Sequence, residues 1–228
     1  MTLICRAFNF LFPPYCKICG KQSRKELCDN CYLRFKKYED LHIINFKKDD
    51  IPFKLKYQFE RRNLDYLIYL FNYKKSIRKL ILNYKFFNQF YLSKVFSEII
   101  FKNEKLCRIL KFYDIIIPVP MHKNKLKVRG YNQAELLAID LCEKLNFKYY
   151  KNILIKTVNN KKQSSLSEKE RYENIKNVYK ILKPEKIKNK NIILVDDICT
   201  TSATLEECAK ILKKNGARKV TAVVIAKD

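Results

Sequence analysis

Apolar residues along this chain recur in two periods, and the two alternate. Residues 64–73 are a near-continuous apolar run, which predicts a strand. Ile77, Leu80, Ile81 and Tyr84 follow at helical spacing, as do Phe90, Val95, Phe96 and Ile99, so two helices with a turn near Phe87 are expected. Residues 114–119 predict a second buried strand, stopped by Pro118-Val119-Pro120. Residues 121–130 read as a loop and residues 131–145 as a helix with Ala134, Leu137, Ala138 and Leu141 on one face. Residues 153–157 form a short strand in this reading. Residues 159–177 are polar and basic, with a short helix in their second half, and a segment of that kind inside a compact domain is usually functional, often a lid. Residues 191–195 predict the next strand, 205–214 a helix and 220–226 the last strand. Strands alternating with helices imply an α/β fold, an open and mostly parallel sheet with helices on both faces.

The pattern also divides the chain. Residues 1–40 are too few to build a core, residues 41–63 are mixed and charged with Pro52 as a breaker, and residues 64–228 carry the alternation. The expected organisation is a small first domain, a connector and one main domain. Residues 3–15 are apolar but short and interrupted by Arg6, which argues against a secretory signal, and no run reaches the length of a membrane span. A soluble, cytoplasmic protein is expected, with peripheral contact at the inner membrane the one association with lipid left open.

Charge changes this picture only in part. The chain has 228 residues and a formal charge of +25, from 48 basic and 23 acidic residues. Such a surplus favours polyanions: nucleic acid, phosphorylated metabolites or anionic lipid. Its wealth of Lys, Asn, Ile, Tyr and Phe, with three Gly and no Trp, also fits the codon bias of an AT-rich genome, which raises Lys everywhere. The charge is therefore permissive for nucleic acid rather than diagnostic.

Nine cysteines without a signal argue for metal or reduced thiols over disulfides. Cys16-Lys-Ile-Cys19 and Cys28-Asp-Asn-Cys31 are two CxxC knuckles separated by eight residues. Each turns tightly enough to offer both sulfurs to one ion, so the four suit one tetrahedral Zn2+. Four protein ligands leave no open position, which makes the role structural. Cys107, Cys142 and Cys208 read as ordinary small apolar residues.

Residues 192–204, Ile-Ile-Leu-Val-Asp-Asp-Ile-Cys-Thr-Thr-Ser-Ala-Thr, carry the chemistry. A buried strand ends in two carboxylates, and small hydroxyl residues then lead into a helix. Ligands of open α/β sheets bind beyond the carboxyl ends of strands, and a helix start holds phosphate with its free amides and dipole. Asp196 and Asp197 beside such a nest suit a ligand with a cis-diol near a phosphate, a ribose 5-phosphate. The bland alternative is an acidic strand end followed by a Thr or Ser N-cap. The stretch after Val119 brings His122, Lys123, Lys125, Lys127 and Arg129 to the same sheet edge, which suggests a second phosphate group. The lid adds Lys161, Lys162, Lys169 and Arg171. A ribose 5-phosphate with a pyrophosphate on its anomeric carbon, carrying Mg2+, fits these groups together. Taken singly, each basic residue also reads as a solvated surface charge, and His122 is equally placed to cap its loop.

The run Asp196-Asp197-x-x-Thr200-Thr201-x-Ala203-Thr204 after a strand resembles the phosphoribosyl-diphosphate (PRPP) signature of type I phosphoribosyltransferases. With Pro118-Val119-Pro120 to Arg129-Gly130-Tyr131-Asn132-Gln133, then Gln163 to Asn174 including Arg171, then the four-cysteine unit, the chain is similar to the ComF family of competence-associated proteins. The resemblance spans nearly the whole chain and is weakest over residues 40–70. It implies a type I phosphoribosyltransferase-like fold with an N-terminal four-cysteine zinc ribbon. It implies that Asp196 and Asp197 bind the ribose hydroxyls as the catalytic pair, and that Thr200, Thr201, Ser202, Ala203 and Thr204 cradle the 5-phosphate. Residues 119–123, with His122 and Lys123, match the pyrophosphate loop. Arg129 and Arg171 would bind PRPP as well, Arg171 on a loop that closes over it. Catalysis in such transferases is positioning and electrostatics. The implied role is PRPP binding and handling of single-stranded DNA in natural transformation, with a DNA-uptake helicase among the partners. An ordinary salvage phosphoribosyltransferase and a non-catalytic zinc-ribbon adaptor are the alternatives. One departure stands out: Ser202 occupies a position where most such signatures have Gly, which permits positive φ and close backbone approach.

Overall fold

The computed structural model describes residues 15–25, 27–46, 63–160 and 174–228. The described strands are β1 (His42–Asn45), β2 (Tyr66–Asn72), β3 (Ile115–Pro118), β4 (Leu154–Lys156), β5 (Tyr179–Ile181), β6 (Asn191–Cys199) and β7 (Lys219–Lys227). The described helices are α1 (Asp29–Lys36), α2 (Lys75–Phe86), α3 (Leu92–Lys102), α4 (Glu104–Leu110), α5 (Lys123–Arg129), α6 (Gln133–Leu145) and α7 (Ala203–Lys214). The main sheet runs β1-β2-β7-β6-β3. β1 is antiparallel to β2, and the other neighbours are parallel. This is the α/β architecture the periodicity predicts.

The central strands β6 and β7 are apolar almost throughout because both of their faces are covered. Alternation divides them between two cores. Ile193, Val195, Val223 and Ile225 pack with Ile81 and Tyr84 of α2, Val95 and Phe96 of α3, and Leu137 and Leu141 of α6. Ile192, Leu194, Ala222 and Val224 pack on the other side with Leu205, Cys208 and Leu212 of α7, and with Leu154 and Tyr179 of the β4–β5 pair. Asp65 pins the far edge: its buried carboxylate accepts the Val220 amide at 2.7 Å and pairs with Lys213 at 2.7 Å.

Several elements depart from the pattern. β6 does not end at Val195 but continues through both aspartates to Cys199. α7 begins at Ala203, ahead of the expected residue 205. The expected loop over residues 121–130 contains α5, because its Lys, Leu and Arg residues favour helix, His122 caps its start and Gly130 ends it at φ 84°. Phe90 lies in the turn before α3 and is exposed, so it is not on that helix's buried face. α4 was not marked by periodicity; it starts where the Asn103 side chain accepts the Leu106 amide at 2.8 Å. β4 pairs with β5 as a separate antiparallel ribbon, and three residues of β5 are too few to show a period. The expected connector opens with an edge strand, β1, while residues 47–62 lie outside the described residues. So do most of the expected lid, including Lys161, Lys162, Lys169 and Arg171, and its expected short helix. Among the described residues, no helix is long and apolar enough to cross a membrane.

Candidate functional site

β3 and β6 are of unequal reach, and that difference exposes the carboxylates. β3 stops at Pro118, opposite Val195 of β6. Asp196 continues the ladder against Val224 of β7 alone, so its far side faces the space beyond β3. Asp196 accepts the Asp197 amide through Oδ1 at 2.8 Å. Asp197 is buried, and the Lys85 ammonium at the end of α2 meets its Oδ1 at 3.0 Å. Burial, then the charge of Asp197, pushes the Asp196 carboxyl well above its usual range, with Lys85 opposing. Burial also works against the charge of Lys85, but Asp197 and Asp196 outweigh it and hold the ammonium above its ordinary value. Two more cations share this field. Arg129 feels the charge of Asp197, and Lys156 of β4 feels that of Asp196. Burial and the nearby Lys125 bring Lys156 down to about 8.

The start of α7 is built unlike an ordinary N-cap. Ser202 sits at φ 58° and ψ 0°, the left-handed region, and makes no side-chain cap bond. Its hydroxyl is buried against the Cys199 thiol. The bland reading of a Ser N-cap therefore fails: the Ser202 side chain does not cap the first turn, which has the helix dipole behind it. A positive φ also explains why Gly commonly stands at this position. Thr200 is exposed, Thr201 and Ala203 are buried, and Thr204 lies near Tyr179.

The stretch after β3 is positioned residue by residue. His122 is buried, and its Nδ1 accepts the Asn124 amide at 3.2 Å, so it caps α5. Lys123 is exposed at the first turn of that helix. Asn132 caps α6 through the Ala134 amide and also donates to the Val119 carbonyl at 3.0 Å, tying the turn after β3 to α6. The next residues lock α2 in place. Tyr84 donates to the Gln133 carbonyl at 2.7 Å, Gln133 donates to the Lys85 carbonyl at 3.4 Å, and Tyr131 donates to the Tyr84 carbonyl. Lys85 is thus aimed at Asp197 by residues far away in sequence. That role was not legible beforehand, since one Lys at a helix end carries no spacing signal.

His122 and Lys123 also line a cavity of about 460 Å³ with Met121, Glu135, Tyr149 and Lys156. Within it Tyr149 donates to Glu135 at 2.9 Å. The cavity lies against the β3 turn and β4, and no residue of 196–204 lines it; His122 serves the backbone of α5.

The four knuckle cysteines converge. One Sγ from each of Cys16, Cys19, Cys28 and Cys31 lies within 4.8 Å of the others, and Cys19 and Cys28 are 3.7 Å apart. A tetrahedron with Zn–S bonds of about 2.3 Å has edges of about 3.8 Å, so the thiols fit zinc. Burial opposes ionisation of Cys16, but the backbone amides of Cys28, Cys19 and Ile18 outweigh it and lower the thiol to about 6. Cys16, Cys31, Leu27 and Phe35 belong to the same buried core as α2 and α3, so this unit is packed onto the main sheet.

Known proteins share these features. A model of the phosphoribosyl transferase domain matches residues 129–228, which include both aspartates and Ser202. Competence protein F of Haemophilus influenzae is 28% identical over 213 residues, 91% of this chain and 82% of that protein. Competence protein ComFC of Streptococcus pneumoniae is 29% identical over 152 residues, 66% of this chain and 63% of that protein. DNA utilization protein YhgH of Escherichia coli is 32% identical over 111 residues, about half of each chain at 49% and 48%. Relatives named for competence along most of its length, joined to a phosphoribosyl transferase domain at its carboxyl-terminal end, support the ComF resemblance of this chain.

Proposed function

We propose that this protein binds PRPP at the carboxyl edge of β6 and acts in the handling of single-stranded DNA during natural transformation. The observation that carries the first part is one juxtaposition. Two carboxylates run past the end of β3 and meet a helix start that Ser202, at a positive φ, does not cap. The α7 amides and residues 200–204 take the 5-phosphate. Asp196 and Asp197 accept the ribose hydroxyls, Asp197 being held in place by Lys85. Lys123 and Lys156 face the pyrophosphate, with Arg129 nearby and Arg171 assigned by resemblance. Mg2+ enters with the diphosphate, as a hard cation coordinated by its oxygens and water. Zn2+ fills the cysteine cluster and is structural.

The second part rests on the relatives named for competence and DNA utilization and on the charge of +25. A cytoplasmic location and a DNA-uptake helicase as partner belong to the same reading. Calorimetry with PRPP and Mg2+, repeated with single-stranded DNA, tests it. Saturable PRPP binding supports the site, and no heat at millimolar PRPP overturns it. Pyrophosphate release with a panel of bases separates the readings of the chemistry. Robust turnover with one base would make the protein a salvage transferase.

A further inference from the structure

The end of α2 and the turn to α3 carry Phe86, Phe87 and Phe90, and all three are more than half exposed, at 62%, 67% and 55%. The rings are organised. The Arg129 guanidinium stands over Phe86 at 5.0 Å from its centroid, and Phe90 meets Tyr131 edge-on at 6.3 Å. Lys85, next to Phe86 in sequence, pairs with Asp197, so this surface adjoins the carboxylate edge. α5 leads up to it from the β3 turn. It reads Lys-Asn-Lys-Leu-Lys-Val-Arg, with no acidic residue, and Lys123 and Lys127 are exposed.

We infer that Phe86, Phe87 and Phe90 are a stacking platform for the bases of single-stranded DNA, with the exposed Lys127 of α5 holding a neighbouring phosphate. This rests on the DNA-handling part of the reading above and supplies its surface. Three considerations select the occupant. Flat exposed rings bordered by cations offer what a single strand presents, π-faces and phosphates in alternation. A duplex hides its base faces. A protein partner could also use exposed rings as anchors, but the acid-free, lysine-rich α5 beside them favours a polyanion. The side chains involved lie on the surface and outside both cores, so they are free to be replaced without loss of the fold.

The chain has no Trp, so Phe87→Trp installs a single fluorescent reporter. The probes are an oligothymidine of about 12 nucleotides and an abasic oligomer of equal length and charge. The expected result is quenching of the introduced indole by oligothymidine and much less by the abasic strand. Wild type binds oligothymidine at least about fivefold more tightly than the abasic strand, and Phe86→Ala/Phe87→Ala/Phe90→Ala removes that preference while PRPP binding and the thermal transition stay unchanged. A triple variant that keeps the preference overturns the platform and leaves the DNA reading standing, as does equal wild-type affinity for both strands. Quenching by free thymidine as strong as by the oligomer reassigns the rings to a small base. A wild type that binds neither strand removes the DNA-handling reading itself, with PRPP binding judged separately.

Discussion

The cysteine cluster and the carboxylate edge both gather ionisable groups, at opposite ranges of sequence. The four thiols come from Cys16 to Cys31 in two tight knuckles. The edge draws Asp196 and Asp197 from β6, Lys85 from α2, Arg129 from α5 and Lys156 from β4. The difference teaches that the first site can close by itself, whereas the second exists only once two cores have set four elements in place. It also separates their tasks. Four converging thiols suit a structural ion, while an edge that gathers two carboxylates and three cations beside a helix start suits the ligand proposed above.

This contrast can be broken by substitution. Cys31→Ser should be the most damaging change, because Cys31 is buried in the core that α2 and α3 share. Loss of zinc together with about 3 kcal/mol or more of unfolding free energy is expected, read by metal analysis and urea denaturation. Zinc loss without destabilisation would detach that unit from the fold. Lys85→Met should cost somewhat less, about 2–3 kcal/mol, because it leaves Asp197 buried without its ion-pair partner. Adding Asp197→Asn should restore most of that stability without restoring PRPP binding. Were the double variant as unstable as the single one, Lys85 would be holding α2 by packing and not by charge.

Titration sharpens the contrast further. The folded state raises the Asp196 carboxyl, so folding favours its protonated form. Stability from this group is fully present below the unfolded value of about 3.9 and declines as pH rises towards about 8. Relative to Asp196→Asn, wild type should therefore lose stability steadily from pH 5 to about 8 and level off above it, in denaturation at each pH. A flat difference would contradict the raised carboxyl. The smallest effect is expected at Ser202. Ser202→Gly relieves a positive φ and should stabilise by about 0.5–1 kcal/mol while binding PRPP at least as tightly. A marked loss of affinity would make the hydroxyl a required contact.

What the sequence showed follows the same division. The knuckles, the strands and most of the helices were legible because spacing and periodicity act locally. The basic run over residues 121–130 was misread as a loop because its helix is set by two caps, His122 and Gly130, and not by an apolar stripe. The acidic pair was placed after the strand, although β6 runs through it, since only the end of β3 marks where the edge begins. Lys85 and Lys156 were missed because their partners lie over a hundred and about forty residues away, in registers that no local pattern encodes. Ser202 was flagged by comparison with a family pattern, and its positive φ gives that departure a physical reason.

The central claim is that the β6 edge and the α7 start bind PRPP. It is tested most directly by titrating PRPP with Mg2+ into wild type and Asp196→Asn/Asp197→Asn side by side, with thermal transitions recorded for both. The account predicts saturable binding by wild type and affinity weakened about a hundredfold or more in the variant, which stays folded. Equal affinity in the two proteins would contradict it.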